Sequence, residues 1–128
     1  MDKVLLIGVN TGAEENFEHS MEELALLAEA CEMEVVGSMT QNLPYINKAL
    51  YVGTGKIEEI KEEAAWTGAE MLLFNDSLTP SQIRNIKDET GIAVMDRTTI
   101  AITMKVLSPA GSTGSVGVLG WVGAWVGA

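Results

Sequence analysis

Cysteine occurs once in the 128 residues, at Cys31, and histidine once, at His19. One thiol excludes an intrachain disulfide and fits a reducing compartment, so the cytosol is the expected location. One imidazole leaves any Ser–His–Asp or Cys–His scheme resting on His19 alone, and no metal-ligand set surrounds it. Bases are scarce too: 8 Lys and Arg stand against 18 Asp and Glu, a formal charge of −10. Free-standing nucleic-acid binding needs cations that replace counterions on phosphates, and this balance argues against it. Long apolar runs are missing as well. Val4 to Val9 is short and has no small-residue cleavage site behind it, so it reads as a first strand and not a leader. The uncharged stretch Val116 to Ala128 is too short to span a bilayer as a helix, and no membrane partner is expected.

The acid that is present is unevenly placed. Residues 1–64 carry four bases against thirteen acids, and residues 65–128 carry four against five. No charged side chain follows Lys105. Length and patterning predict one domain over residues 1–106 and an uncharged Gly/Val/Trp-rich tail over 107–128. In the tail Gly111, Gly114, Gly117, Gly120 and Gly123 recur every third residue without the proline a collagen helix needs. It is expected to be disordered or non-native sequence.

Within the first 106 residues, strand and helix signals alternate. Lys3 to Val9 is nearly continuous in apolar residues, as in a strand buried on both faces. Ser20-Met21-Glu22-Glu23 fits a capping box, and Leu24, Leu27, Ala28 and Cys31 follow on one helical face. Met33 to Thr40 reads as a second strand and Ala49 to Val52 as a short third. After Gly55, a helix buries Ile57, Ile60 and Ala64 and stops at Gly68. Ala69 to Phe74 is a fourth strand. Thr79-Pro80-Ser81-Gln82 starts a helix ending at Gly91. Ile92 to Met95 is a fifth strand, and Thr98 to Val106 a weak further helix. This alternation predicts an α/β fold, a small three-layer domain with a mainly parallel four- to five-stranded sheet between flanking helices.

Ligands of such sheets sit beyond the carboxyl ends of the strands. That edge gathers Asn10–Gly12, Gln41–Asn42, Gly53–Lys56, Asn75–Ser77 and Asp96–Arg97. The turn Gly53-Thr54-Gly55-Lys56 is the first candidate for binding a nucleotide, a phosphate or an RNA backbone, because glycines let a ligand approach the N–H groups at a helix start. It is not a nucleotide-hydrolysis loop. The position five before Gly55 is Leu50, and Ile57 follows Lys56 where a hydroxyl would hold magnesium. The plainer reading is a tight strand-to-helix turn with Lys56 in solvent. Asn75, Asp76, Gln82, Arg84, Asn85 and Arg97 are the candidates for a partner surface. Against that stand a self-bonded turn at Asn75–Ser77, capping by Gln82, and ion pairs from Asp96 and Arg97 to neighbouring elements. Cys31 is expected as a buried thiol.

Four stretches together resemble the N-terminal domain of the HflX family of ribosome-associated GTPases. They are Val35-Val36-Gly37-Ser38-Met39-Thr40-Gln41, Tyr51 through Ile60, Phe74 through Ile86, and Val94-Met95-Asp96-Arg97-Thr98, in the family's order and spacing. The resemblance implies a small parallel α/β domain that helps dock on the large ribosomal subunit. In full-length members a helical hairpin and a GTPase domain, which uses GTP and Mg2+, follow it. It departs after about Ile100, where the family continues into a long charged helix. No guanine-binding Asn-Lys-x-Asp occurs, and Asp88-Glu89-Thr90-Gly91 is better read as a helix end. The chain alone is therefore expected to need no cofactor and not to be an enzyme. It is expected to act as a ribosome-docking module, with an ATP-binding α/β domain or an inactive truncated fragment as the alternatives.

Overall fold

Six consecutive buried residues, Val4 to Val9, form the axis of the molecule. The computed structural model describes residues 2–13 and 15–107. Strand β1 (Asp2–Asn10) is followed by α1 (Phe17–Ala30), β2 (Met33–Asn42), α2 (Thr54–Thr67), β3 (Met71–Phe74), α3 (Pro80–Thr90), β4 (Ala93–Asp96) and α4 (Arg97–Leu107). The sheet has four strands in the order β2-β1-β3-β4, and every pairing is parallel. Alternate β1 side chains feed two cores, as strand geometry requires. Val4 and Leu6 pack with Leu24, Leu27, Ala28 and Cys31 of the α1 side and with Ile100 and Met104 of α4. Leu5, Ile7 and Val9 pack with Ile57, Ile60 and Ala64 of α2 and with Ile86 of α3. Helices therefore cover both faces, which explains the unbroken apolar run.

The expected α/β class holds, with the sheet at four strands and wholly parallel. The expected short strand at Ala49–Val52 does not form. Asn47 Oδ1 accepts the N–H groups of Ala49 and Leu50, at 2.8 and 2.9 Å, and curls the chain into a turn. Only an isolated antiparallel bridge joins Asn47 and Tyr51. Tyr51 and Val52 are apolar because they plug the α2–α3 core.

The start of α1 also differs from expectation. Asn16 caps it, accepting from His19 N at 3.3 Å, and Ser20 lies one turn inside the helix, 3% exposed. A hydroxyl at that depth needs tertiary partners, and it has them (below). Gly8 lets α1 settle on β1: a Cβ there would lie 2.5 Å from Met21 Sδ and 2.9 Å from Phe17 Cζ. The box at α3 forms as read, with Gln82 N donating to Thr79 Oγ1 at 3.1 Å and Thr79 N to Gln82 Oε1 at 2.9 Å. α4 forms despite its β-branched residues because Ile100, Ala101 and Met104 are buried, packing that overrides propensity. The expected tail lies outside the described residues apart from Leu107.

Gly68 and Gly91 end α2 and α3 with φ of +76° and +70°, the left-handed conformation glycine favours. Nothing lies within 4 Å of a Cβ built on Gly91. Gly91→Ala should therefore cost only the backbone term, about 1 kcal/mol, read as a lower urea midpoint at unchanged slope. Cys31 is buried with its Sγ 3.9 Å from the Ile100 carbonyl, and burial pushes its thiol pKa up. Such a thiol has little thiolate at neutral pH and little reactivity. Among the described residues no helix is long and apolar enough to cross a membrane.

Candidate functional site

Strand order places β1 between β2 and β3, so the chain leaves the two central strands in opposite directions. That reversal makes the carboxyl ends of β1 and β3 a topological switch point. A crevice of about 310 Å3 opens there, lined by Val9, Asn10, Thr11, Ala13, Phe17, Ile46 and Asp76. A second hollow, about 430 Å3, shares Asn10 and Thr11 and continues over Gly12, Asn42, Leu43 and Pro44.

Tyr51 builds one wall of this region. It is 1% exposed and holds a positive φ of 68°, which a bulky L-residue adopts only when its surroundings dictate it. Its ring meets Phe74 edge-to-face, with centroids 5.4 Å apart. Its hydroxyl accepts the N–H of Val9 at 3.2 Å and donates to Asp76 Oδ2 in a short hydrogen bond. One side chain thus satisfies the last buried N–H of β1 and fixes the carboxylate beyond β3. Tyr51→Phe should cost about 1–2 kcal/mol, because Val9 N–H loses its acceptor inside the protein. Hydrogen exchange at Val9 should accelerate more than at Ile7, which would isolate that bond from general loosening.

The turn Gly53–Lys56 sits at the start of α2, with Gly53 as its cap residue. Gly53 N donates to Gln41 Oε1 at 2.9 Å, and a Cβ on Gly53 would press on Gln41 Nε2 at 3.2 Å. That contact explains the first glycine. Thr54 and Gly55 are exposed, and a Cβ on Gly55 would meet nothing within 4 Å. Lys56 is largely covered; its Nζ lies 3.7 Å from Glu59 Oε1, and its backbone N–H donates to Gly53 O at 3.0 Å.

Four candidates for a partner surface spend their polar atoms on bonds within the domain. Asn75, 2% exposed, donates through Nδ2 to Ser20 Oγ at 3.1 Å, and its Oδ1 accepts from Arg97 Nη1 at 3.0 Å. Arg97 Nη1 also donates to Ser20 Oγ, and Nη2 meets Glu23 Oε2 at 3.2 Å. Glu23 in turn meets His19 Nε2 through Oε1 at 2.8 Å. Gln82 is buried and donates to Asn47 O at 2.9 Å, while Asn85 Nδ2 donates to Ala49 O at 3.1 Å. Together these two α3 residues hold the 47–50 turn. Asp76 and Arg84 remain exposed. The ion pair expected of Arg97 is made with Glu23. Asp96 instead spends its carboxylate on N–H groups, accepting Leu78 N and Thr99 N, each at 2.9 Å, the second bond capping α4. Tyr51 and Ser20, central to this edge, were missing from the sequence candidates. Their only sequence signals are an aromatic before a glycine turn and a serine on an apolar helix face.

A four-stranded parallel α/β domain with a switch-point crevice is thus the class that fold and site define. The profile of a family described as GTP-binding GTPase N-terminal matches residues 18–104. The chain is 40% identical over 103 residues to the GTPase HflX of Alkalihalophilus pseudofirmus, covering 80% of this chain and 24% of that protein. It is 36% identical over 101 residues to the GTPase HflX of Caldanaerobacter subterraneus subsp. tengcongensis, covering 79% and 23%. Among solved structures, the complex of SsGBP with GDP superposes with a TM-score of 0.64 at 23% identity, over 88% of this chain and 31% of that one. A GTP-binding protein from Sulfolobus solfataricus in complex with GDP gives 0.62 at 22% identity, over 90% and 33%. At that identity the two structures show a shared fold. The chain belongs to the HflX GTPase family, as its N-terminal domain. It spans about a quarter of the length of these curated relatives, and the match does not extend over their GTPase domain.

Proposed function

We propose that this domain is the ribosome-docking N-terminal module of an HflX-type GTP-binding protein and breaks no bond by itself. The observation that carries the reading is the family match over residues 18–104, which runs from α1 into α4 and takes in every element of the α/β unit after β1. The polar residues of the carboxyl edge support it. Asn75, Gln82 and Arg97 stiffen the domain, which suits a rigid adaptor, and no general acid–base pair is among them. GTP and Mg2+ belong, in this reading, to the GTPase domain of the longer relatives. With a net charge of −10 the isolated chain docks weakly, and chiefly on protein rather than on phosphate. Cosedimentation with large ribosomal subunits over a salt series tests this. Pelleting at low salt is expected, and its absence at every salt concentration would sink the docking role and favour an inactive fragment.

A second reading has one observation in its favour. Gly55 is an exposed glycine that no packing contact requires, at the start of a 14-residue helix and next to Lys56. An ATP phosphate on the Thr54–Gly55 backbone would account for it. Equilibrium binding of labelled ATP and GTP decides: micromolar ATP binding that vanishes in Lys56→Ala would replace pure docking with nucleotide recognition.

A further inference from the structure

The switch-point crevice has a chemistry of its own. Its apolar lining is Val9, Ala13, Phe17 and Ile46, beside the polar Asn10 and Thr11. Among the described residues its one charged lining residue is Asp76, exposed two positions beyond the end of β3. Tyr51 is anchored from beneath by Val9 N–H and donates to Asp76 Oδ2, so the carboxylate is held in one place before any ligand arrives. Oδ1 and the remaining lone pair of Oδ2 stay available as acceptors. None of the ion pairs among the described residues involves Asp76. The Tyr51 hydroxyl is a neutral donor and does not cancel the charge. Asn10, also in the lining, accepts Gly12 N through its Oδ1 at 2.9 Å.

We propose that this crevice binds a guanidinium or ammonium group carried on an apolar stem. The cationic head pairs with Asp76, and the methylenes lie against Val9, Ala13, Phe17 and Ile46. Three features select that class. A positioned carboxylate with free lone pairs matches a multi-donor cation. Apolar walls match the (CH2)n stem that Arg and Lys side chains bury while keeping the head polar. The acidic lining repels phosphates and carboxylates, which separates this crevice from the Gly53–Lys56 turn. A volume of about 310 Å3 admits one such side chain, and the hollow beyond Asn10 and Thr11 gives a longer chain room to continue. The inference is independent of ribosome docking and of ATP binding, so either can fail without the other.

The 128-residue chain, labelled with 15N, is titrated with butylguanidinium, with a short peptide bearing one central arginine, and with butyrate as the anionic control. Saturable shifts of the Thr11, Ala13 and Asp76 amides are expected with both cations and not with butyrate. Asp76→Asn, on an exposed residue, should keep a dispersed spectrum and weaken both cations by about tenfold or more. Ala13→Phe, which fills the crevice and leaves Asp76 in place, should weaken them comparably. A peptide that binds more tightly than butylguanidinium identifies the natural source as a side chain of a partner protein. Equal affinities identify a free small cation, and both outcomes support the chemistry. Absence of saturable shifts with either cation, unchanged affinity in Asp76→Asn, or butyrate shifting the same amides would overturn it.

Discussion

Replacing Phe74 with alanine should lower the unfolding free energy by about 4 kcal/mol, the largest loss expected from a single truncation in this domain. Phe74 is fully buried at the end of β3, hydrogen-bonded into the sheet between β1 and β4. Its ring packs among Leu5, Ile7, Leu72 and Ile86 on the α2–α3 side. Removing it sacrifices transfer free energy and leaves a cavity that rigid neighbours cannot fill. It also removes the edge-to-face partner of Tyr51, an interaction worth about 0.5–1.5 kcal/mol beyond the area buried. Tyr51 holds a left-handed backbone that its packing must maintain. The loss at Phe74 should therefore spread to the Val9 and Asp76 contacts of the crevice. Urea denaturation gives the main number: a midpoint shift at constant slope. Phe74→Leu, which keeps most of the volume, should cost under about 1.5 kcal/mol. A loss near that of alanine for Phe74→Leu as well would show that the ring's shape and its edge-to-face contact, not buried volume, hold this end of the sheet.

Where local rules govern, the chain was readable without coordinates. The unbroken apolar run of β1, the apolar face of α1, the Thr79–Gln82 box, and Gly68 and Gly91 as helix ends each follow from interactions within about four residues, and each is present. So does the carboxyl edge, which strand alternation alone defines. The misreadings share a cause. Apolar Tyr51 and Val52 look the same whether they extend a sheet or plug a core; the curl that decides depends on the Asn47 side chain bonding its own loop. Ser20 resembles a cap because serine usually is one. Its actual partners lie 55 and 77 positions away, at Asn75 and Arg97, and leave no trace in neighbouring residues. Asp96 invited pairing with a cation but found N–H donors instead, which serve a buried carboxylate equally well.

The same distant contacts make Arg97 the second site of large effect. Its guanidinium closes a triangle with Ser20 and Asn75 and reaches Glu23, joining the first turn of α4 to α1 and to the end of β3. The side chain is 12% exposed and that of Glu23 24%, so this pair is shielded far more than an exposed one, although not fully dry. Arg97→Met keeps an apolar stem and removes every donor. Asn75 Oδ1 then sits buried without the Nη1 donor, and Glu23 loses the guanidinium while keeping its contact with His19 Nε2. One orphaned carbonyl and one uncompensated carboxylate together should cost about 3 kcal/mol. Arg97→Lys restores charge but cannot fork to two helices and a strand end at once, so it should recover less than half of the loss. Adding Glu23→Gln to Arg97→Met should return about 1 kcal/mol, because the carboxylate left behind is then neutral. That recovery separates a stranded charge from lost hydrogen bonds. If the double variant were no more stable than Arg97→Met alone, the loss would come from the hydrogen bonds to Ser20 and Asn75 and not from a charge stranded on Glu23.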